Sequence, residues 1–166
     1  MPRMTSQPWP MRVGPLLLRE ATVGDLDRMV SLRNDPAEIS RLVDRIGAFG
    51  AQARLPPDVT FRLTLALDEI VSNVIRHGFD DAAEHAIEVE LDIANGVVTA
   101  AVQDDGTPFD PREAPAPELD APLEERRAGG LGVHLVRSTM DEIDYRRDGD
   151  RNVLTVQTSV VARDGG

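Results

Sequence analysis

Residues 67–78 place side chains that could do chemistry along one side of a predicted helix. Glu69, Asn73 and His77 are spaced four residues apart, with Arg76 beside them, so they share one face of an α-helix that ends at Gly78. A carboxylate and a carboxamide one turn apart suit a hard cation such as magnesium, and the carboxylate could also act as a base. The same stripe also fits an ordinary solvated helix face. The segments that follow decide between these interpretations.

Two later segments carry groups that suit a flat ring and a phosphate. Asp104, at a predicted strand end, could accept a hydrogen bond from an exocyclic amine, while Gly106 would let a ring approach the backbone. Residues 129–132, at a helix start, offer bare backbone N–H groups that attract phosphate, and Arg126 and Arg127 precede them. Singly, these segments also fit an acidic turn, a flexible turn and solvated loop positions. With the helix, they indicate a single pocket.

The composition favours one folded domain that does not bind nucleic acid directly. The 166 residues are 41% hydrophobic, which is typical of a globular core. The formal charge of −11 would repel nucleic-acid phosphates and favours a basic protein partner. All 18 basic residues are arginine, so no lysine is available for a Walker-type phosphate site or for Schiff-base chemistry.

The absence of cysteine excludes disulfides, thiolate nucleophiles and cysteine-ligated zinc. The apolar run at residues 16–18 is too short for a signal sequence, and no run reaches the length of a membrane span. We therefore expect a soluble, cytoplasmic protein without a membrane partner.

The hydrophobic periodicity predicts the order β, α, α, β, β, long loop, α, β, β. Residues 1–23 form a predicted extension, 24–162 a single domain and 163–166 a tail. Asn95-Gly96 predicts a hairpin between two strands, and the proline-rich and acidic stretch 110–128 predicts a long loop that is either disordered or functional, such as a lid. The first helix is expected to bury a stripe made of Ile39, Leu42, Val43 and Ile46.

Three motifs occur in order along the chain. They are Glu69-x-x-x-Asn73-x-x-x-His77-Gly78, then Asp104-x-Gly106-x-Pro108-Phe109-Asp110-Pro111, then residues 129–136 with the sequence Gly-Gly-Leu-Gly-Val-His-Leu-Val. This combination resembles the N, G1 and G2 boxes of the GHKL ATPase superfamily, and most closely those of the stand-alone anti-sigma factor serine kinases. The resemblance implies an α+β fold, a two-layer α/β sandwich (the Bergerat ATP-binding fold) whose mixed, mainly antiparallel sheet is covered on one face by helices.

The resemblance also implies a role for each matching residue. Glu69 would be the catalytic base, Asn73 would bind Mg²⁺, and Asp104 would recognise the adenine amine of ATP. Gly106 would lie under the ring, and residues 110–128 would form a lid over the nucleotide. The other residues implied in nucleotide binding are Arg76, His77, Pro108, Phe109, Arg127, Gly129, Gly130, Leu131, Gly132 and Val133.

At two of these positions the residue type itself bears on the implied role. His77 fits equally well as a residue that orients the end of its helix. Pro108 stands where many members of the superfamily have a second glycine, and because proline fixes φ, we expect a stiffer lid pivot.

The implied function is that of an ATP-dependent serine-protein kinase and anti-sigma factor. Such kinases phosphorylate a STAS-type anti-anti-sigma partner and sequester a sigma factor as a homodimer. The alternative is a non-catalytic ATP-binding switch that binds a regulatory protein without transferring phosphate to it. The presence of Glu69 favours the enzyme, because a pure binder has no need of a base beside the metal.

Overall fold

The computed structural model describes residues 28–115 and 130–161, with Gly130 and Leu131 described by their backbone alone. The predicted extension at residues 1–23, most of the predicted lid and the predicted tail at 163–166 lie outside these ranges. The described elements follow the predicted order: β1 (Met29–Arg33), α1 (Ile39–Gln52), α2 (Pro57–His77), β2 (Ala86–Ala94), β3 (Val97–Asp104), α3 (Gly130–Thr139), β4 (Glu142–Asp148) and β5 (Arg151–Ser159).

The five described strands form one sheet in the order β1-β2-β3-β5-β4, in which every neighbouring pair is antiparallel. Helices α1, α2 and α3 lie side by side on it, with α2 in the middle. The predicted α+β sandwich is therefore confirmed. None of the helices in the described ranges combines the length and the apolar composition that a membrane-spanning segment needs.

The core lies between one face of the sheet and the inner sides of the helices. Ile87, Val89 and Leu91 of β2 are at most 2% exposed, while the acidic residues between them point to the opposite face. Leu63 and Leu67 of α2 meet this face and are 1% and 0% exposed. The strict alternation in β2 therefore determines which face of the sheet the helices cover.

Local signals set the ends of the helices. The Asp35 carboxylate accepts a hydrogen bond from Ala37 N at 2.9 Å and caps a 3-10 turn that leads into α1. Helix α2 has Pro57 in its first turn and ends before Gly78, whose φ of −78° lies in the ordinary right-handed region. The glycine at 78 is therefore not required by a left-handed cap.

Two tight turns fix the register of the hairpins. Asn95 and Gly96 have φ values of 51° and 74°, as a two-residue turn between β2 and β3 requires. Gly149, between β4 and β5, has a φ of 60°. Because side chains alternate along a strand, these turns decide which residues face the helices.

The predicted buried stripe of α1 is wrong for Val43, which is 36% exposed. Leu42, Ile46 and Phe49 make up the buried stripe instead, and Ile39 packs at its margin. These three residues are spaced four and three apart, so they span a narrow arc of the helix. Val43 lies about 100° from Leu42 around the axis and falls outside this arc.

Truncation of a core residue on α2 should lower stability far more than truncation of an exposed one. We expect Leu67→Ala to cost about 2–5 kcal/mol, because Leu67 is fully buried and leaves a cavity under the sheet. Phe61→Ala, on the same helix but 66% exposed, should change stability by less than about 0.5 kcal/mol. Urea unfolding of both variants measures the difference, and equal losses would contradict this packing.

Candidate active site

The C-terminal half of α2 lies against the first turn of α3. Glu69 and Asn73 are half-buried, so they are not on a fully solvated helix face. A Cβ added at Gly132 would collide with Glu69 Oε2, so the α3 backbone passes directly over this carboxylate. A helix N-terminus carries free N–H groups and partial positive charge. The structure thus brings the first and third predicted motifs together.

The end of α2 meets the turn that follows β3. Thr107 N donates to Gly78 O at 2.7 Å, and Thr107 Oγ1 donates to Asp80 Oδ2 at 3.3 Å. A Cβ added at Gly106 would collide with Gly78 O and would lie 2.8 Å from Asp104 Oδ1. Glycine is required at 106 because two backbones approach this closely. The first and second motifs therefore also meet.

Asp104 is a buried carboxylate at the end of β3, with 4% exposure. Its Oδ1 accepts hydrogen bonds from Gly106 N and from Asn152 Nδ2, both at 2.9 Å. Oδ2 accepts no hydrogen bond from the part of the chain that the structure describes. A carboxylate oxygen accepts hydrogen bonds, so Oδ2 is an acceptor suited to a ligand N–H.

Asn152 is a site residue that the sequence analysis missed. It is 6% exposed and pairs with Asp104 across the β3–β5 ladder. The sequence did contain a signal: Asn152 falls in the inward register with Leu154 and Val156, where an apolar residue is expected. A polar side chain at such a position needs a buried partner, and here the partner is Asp104.

The residues after Gly106 are fixed to the sheet and to α3. Asp110 caps a 3-10 turn, and Arg112 donates to Asp110, to Asp144 Oδ1 at 2.9 Å and to Tyr145 O at 3.1 Å. Hydrogen bonding by the Arg112 guanidinium lowers the pKa of Asp110. Arg137 of α3 donates to the carbonyls of Arg112 and Ala114. The part of the predicted lid that is described, up to residue 115, is thus anchored at both sides.

The structure places the remaining predicted residues as follows. Arg76 and His77 are exposed at the end of α2, and Pro108 and Phe109 are exposed beyond Gly106, with Phe109 at 48%. Gly130 and Leu131 begin α3, and Val133 is half-buried in its first turn. Arg127 and Gly129 lie outside the described residues.

The metal expectation rests on a sparse donor set. Within residues 28–115 and 130–161, no three His, Asp or Glu side chains form a cluster that could hold a metal ion by themselves. The Glu69 carboxylate lies against the α3 N-terminus, and the Asn73 amide is one turn further along α2. These fit magnesium, which binds through one or two protein oxygens and takes its other ligands from water and substrate phosphates.

A family model described as histidine kinase-like ATPase domain matches residues 32–158, which is most of the chain. The chain belongs to this family. The resemblance found in the sequence is thus confirmed, and membership of an ATPase domain family implies that the chain binds ATP.

Relatives within this histidine kinase-like ATPase family include named protein kinases. The serine/threonine-protein kinase BtrW of Bordetella bronchiseptica is 33% identical over 96 residues, which are 58% of this chain and 68% of BtrW. The serine-protein kinase RsbW of Listeria innocua is 32% identical over 98 residues, 56% of this chain and 62% of RsbW. The chain thus spans about two thirds of these relatives.

Two further comparisons concern function and fold. The anti-sigma F factor of Geobacillus stearothermophilus is 26% identical over 113 residues, which are 68% of this chain and 76% of that protein. The solved structure of the RsbU and RsbW domains of Rv1364c from Mycobacterium tuberculosis matches with a TM-score of 0.58 at 16% identity, over 79% of this chain and 31% of the other. That structural match supports the fold alone.

The loop after α2 contains a histidine held between two carboxylates. The His85 ring stacks on Phe79 with centroids 4.1 Å apart, and its nitrogens lie 2.8 Å from Asp81 Oδ1 and 3.0 Å from Asp105 Oδ1. The hydrogen bond to Asp81, and then that to Asp105, raise the pKa of His85 above its ordinary value of 6.5. His85 thus ties the loop to the turn beside Asp104.

Alanine at position 106 should destabilise the protein, because the new methyl group meets the Gly78 backbone, which cannot move freely. We expect Gly106→Ala to cost about 1–3 kcal/mol, as overpacking does. Gly47→Ala is the matched control, since a Cβ there meets nothing within 4 Å and α1 gains a better helix former. Gly47→Ala should raise the free energy of unfolding, measured with urea, by up to about 1 kcal/mol. If both variants changed this free energy in the same direction, the close backbone approach at Gly106 would be refuted.

The His85 ion pairs should give a stability contribution that falls with increasing pH. Because the folded-state pKa of His85 is raised, the contribution is complete below about pH 6.5 and is lost as the pH rises through the folded pKa. The difference in unfolding free energy between the wild-type protein and His85→Gln should therefore shrink from about pH 6 to about pH 9. A difference that grew with pH would exclude these ion pairs.

Proposed function

We propose that the chain is an ATP-dependent serine-protein kinase that phosphorylates a STAS-type anti-anti-sigma protein and sequesters a sigma factor. The observation that carries the proposal is the position of Glu69, a half-buried carboxylate against the first turn of α3. The names of the relatives support the same reaction class, because they include serine-protein kinases and an anti-sigma factor.

The adenine of ATP is proposed to bind beside Asp104. Its Oδ2 would accept the exocyclic amine, and Gly106 would let the ring approach the backbone. Phe109 is exposed on the same segment and offers an apolar surface to the nucleotide. The triphosphate would then extend along α2 towards the α3 N-terminus.

At the phosphate end, Asn73 would hold magnesium, which neutralises phosphate charge when it is bound. The N–H groups of Gly130, Leu131 and Gly132 would face the phosphate oxygens, as helix N-termini do. Glu69 would take the proton of the attacking serine hydroxyl. The serine oxygen then bonds to the γ-phosphorus, the bond from this phosphorus to the bridging oxygen breaks, and ADP leaves.

The partners follow from the same family. The name of the anti-sigma F factor, 76% of whose length is covered, supports a sigma factor as one partner. A homodimer as the working assembly is part of the proposal and rests on the sequence resemblance alone. The charge of −11 favours basic protein surfaces and disfavours direct nucleic-acid binding. Because sigma factors act in the cytoplasm, we place the protein there as part of this proposal.

Transfer of labelled phosphate from Mg-ATP to purified STAS proteins of the same genome tests the proposal. We expect phosphoserine on one of them and, with Glu69→Gln, retained ATP binding but transfer slower by about 10²- to 10⁴-fold. Asp68→Asn is the matched control, because this neighbouring carboxylate hydrogen-bonds Ser72 on α2 and has no proposed part in the reaction. Mass spectrometry detects phosphoserine on the partner, and calorimetry measures ATP binding.

Two results would count against the kinase. ATP binding without phosphoserine on any partner would favour the non-catalytic switch. Equal transfer by the wild-type protein and Glu69→Gln would remove Glu69 as the base.

A further inference from the structure

We propose that Asn152 is a specificity-determining positioning residue that makes Asp104 select a 6-amino purine over a 6-oxo purine. The proposal rests on the proposed function, since it concerns how the same site chooses its nucleotide. Asn152 lies on β5 beside Asp104 and is 6% exposed. Two residues of β4, Tyr145 and Arg147, hold it from the other side.

The orientation of the Asn152 amide is fixed by groups that have only one hydrogen-bonding role. Arg147 Nη1 lies 3.0 Å from Oδ1, and a guanidinium can only donate, so Oδ1 is the oxygen. Tyr145 Oη donates to the same oxygen at 2.7 Å. On the opposite side, Nδ2 donates to the carbonyl oxygens of Gly106 at 3.3 Å and Thr107 at 3.1 Å. A carbonyl oxygen can only accept, so this atom is the nitrogen.

The fixed amide in turn fixes what Asp104 offers a ligand. Asn152 Nδ2 points an N–H at Asp104 Oδ1, which also receives the N–H of Gly106. Both donors act on Oδ1, so the carboxylate is held by one oxygen and Oδ2 is left to accept a hydrogen bond from a ligand. Such an acceptor pairs with an exocyclic amine and repels a carbonyl oxygen at the same ring position.

Arg147 couples this orientation to the turn that would receive the base. The same Nη1 atom donates to Gly106 O at 2.8 Å. The guanidinium therefore positions both the amide that orients Asp104 and the backbone beside the ring. The choice of base thus depends on two β4 residues that act through Asn152 and Gly106 and do not contact the ligand themselves.

The test compares binding of ATP and inosine triphosphate, which differ in the amine or oxo group at position 6. The wild-type protein should bind ATP at least about tenfold more tightly. Asn152→Ala should reduce this ratio by about tenfold, mainly through weaker ATP binding, because Asp104 loses a donor and its orientation. Calorimetry measures both affinities, and thermal unfolding without nucleotide shows that each variant is folded.

Asn152→Asp separates a positioning role from a structural role more clearly than Asn152→Ala does. It places a second carboxylate next to Asp104, and two carboxylates at hydrogen-bond distance share a proton. In the molecules in which this proton resides on Asp104 Oδ2, Asp104 can donate to a 6-oxo group, so the preference should fall further and become dependent on pH. A merely structural role of Asn152 would weaken both nucleotides equally and give no such pH profile. Gln157→Glu adds the same charge on β5 about five residues away and should keep the wild-type ratio.

If Asn152→Asp does not fold, the double variant Tyr145→Phe with Arg147→Met provides the test. It removes both donors to Asn152 Oδ1 and leaves Asn152 and Asp104 in place, so the amide is held from the Nδ2 side alone and the ratio should again fall, by less than in Asn152→Ala. A folded variant of either kind that keeps the wild-type ratio overturns this proposal while ATP binding stands. A wild-type protein that binds neither nucleotide overturns the proposed function itself.

Discussion

The hydrogen bond from Thr107 N to Gly78 O joins the two halves of the candidate site, and the remaining contacts depend on it. It brings the end of α2 against the turn after β3 so closely that a side chain at Gly106 would collide with the Gly78 carbonyl. Glu69 and Asn73 are then held at a defined position relative to Asp104, because all of them belong to, or directly follow, rigid elements. One short backbone contact therefore sets the distance between the Asp104 carboxylate and the polar side of α2.

Packing of α3 along α2 partly buries the polar side of α2 that carries Glu69 and Asn73. Without α3, Glu69 and Asn73 would lie on an open helix face, where charge interactions are weakened by water. With α3 present they are half-buried, and Glu69 lies beside a helix N-terminus, which favours a negative phosphate. The Arg137 bonds to the carbonyls of Arg112 and Ala114 keep α3 and the segment after Gly106 together.

The element order and the three motif positions could be predicted because their signals are local. Alternation in β2 and the Asn95-Gly96 turn depend on neighbours in sequence, and both were predicted correctly. Asn152 was missed because its role arises from pairing across the sheet, which periodicity alone does not reveal. Val43 was misassigned because the apolar arc of α1 is wider than the surface available to cover it. The roles of the site residues remain predictions.

The ladder between β3 and β5 has a consequence for how the chain can vary. Asp104 and Asn152 form its last pair, and the two-residue turn at Gly149 fixes how β5 aligns with β4. Because neighbouring side chains point to opposite faces, one residue inserted in that turn would send the amide to the outer side of the sheet. The length of this hairpin therefore determines whether Asn152 can reach Asp104 at all, and with it the base preference that we propose.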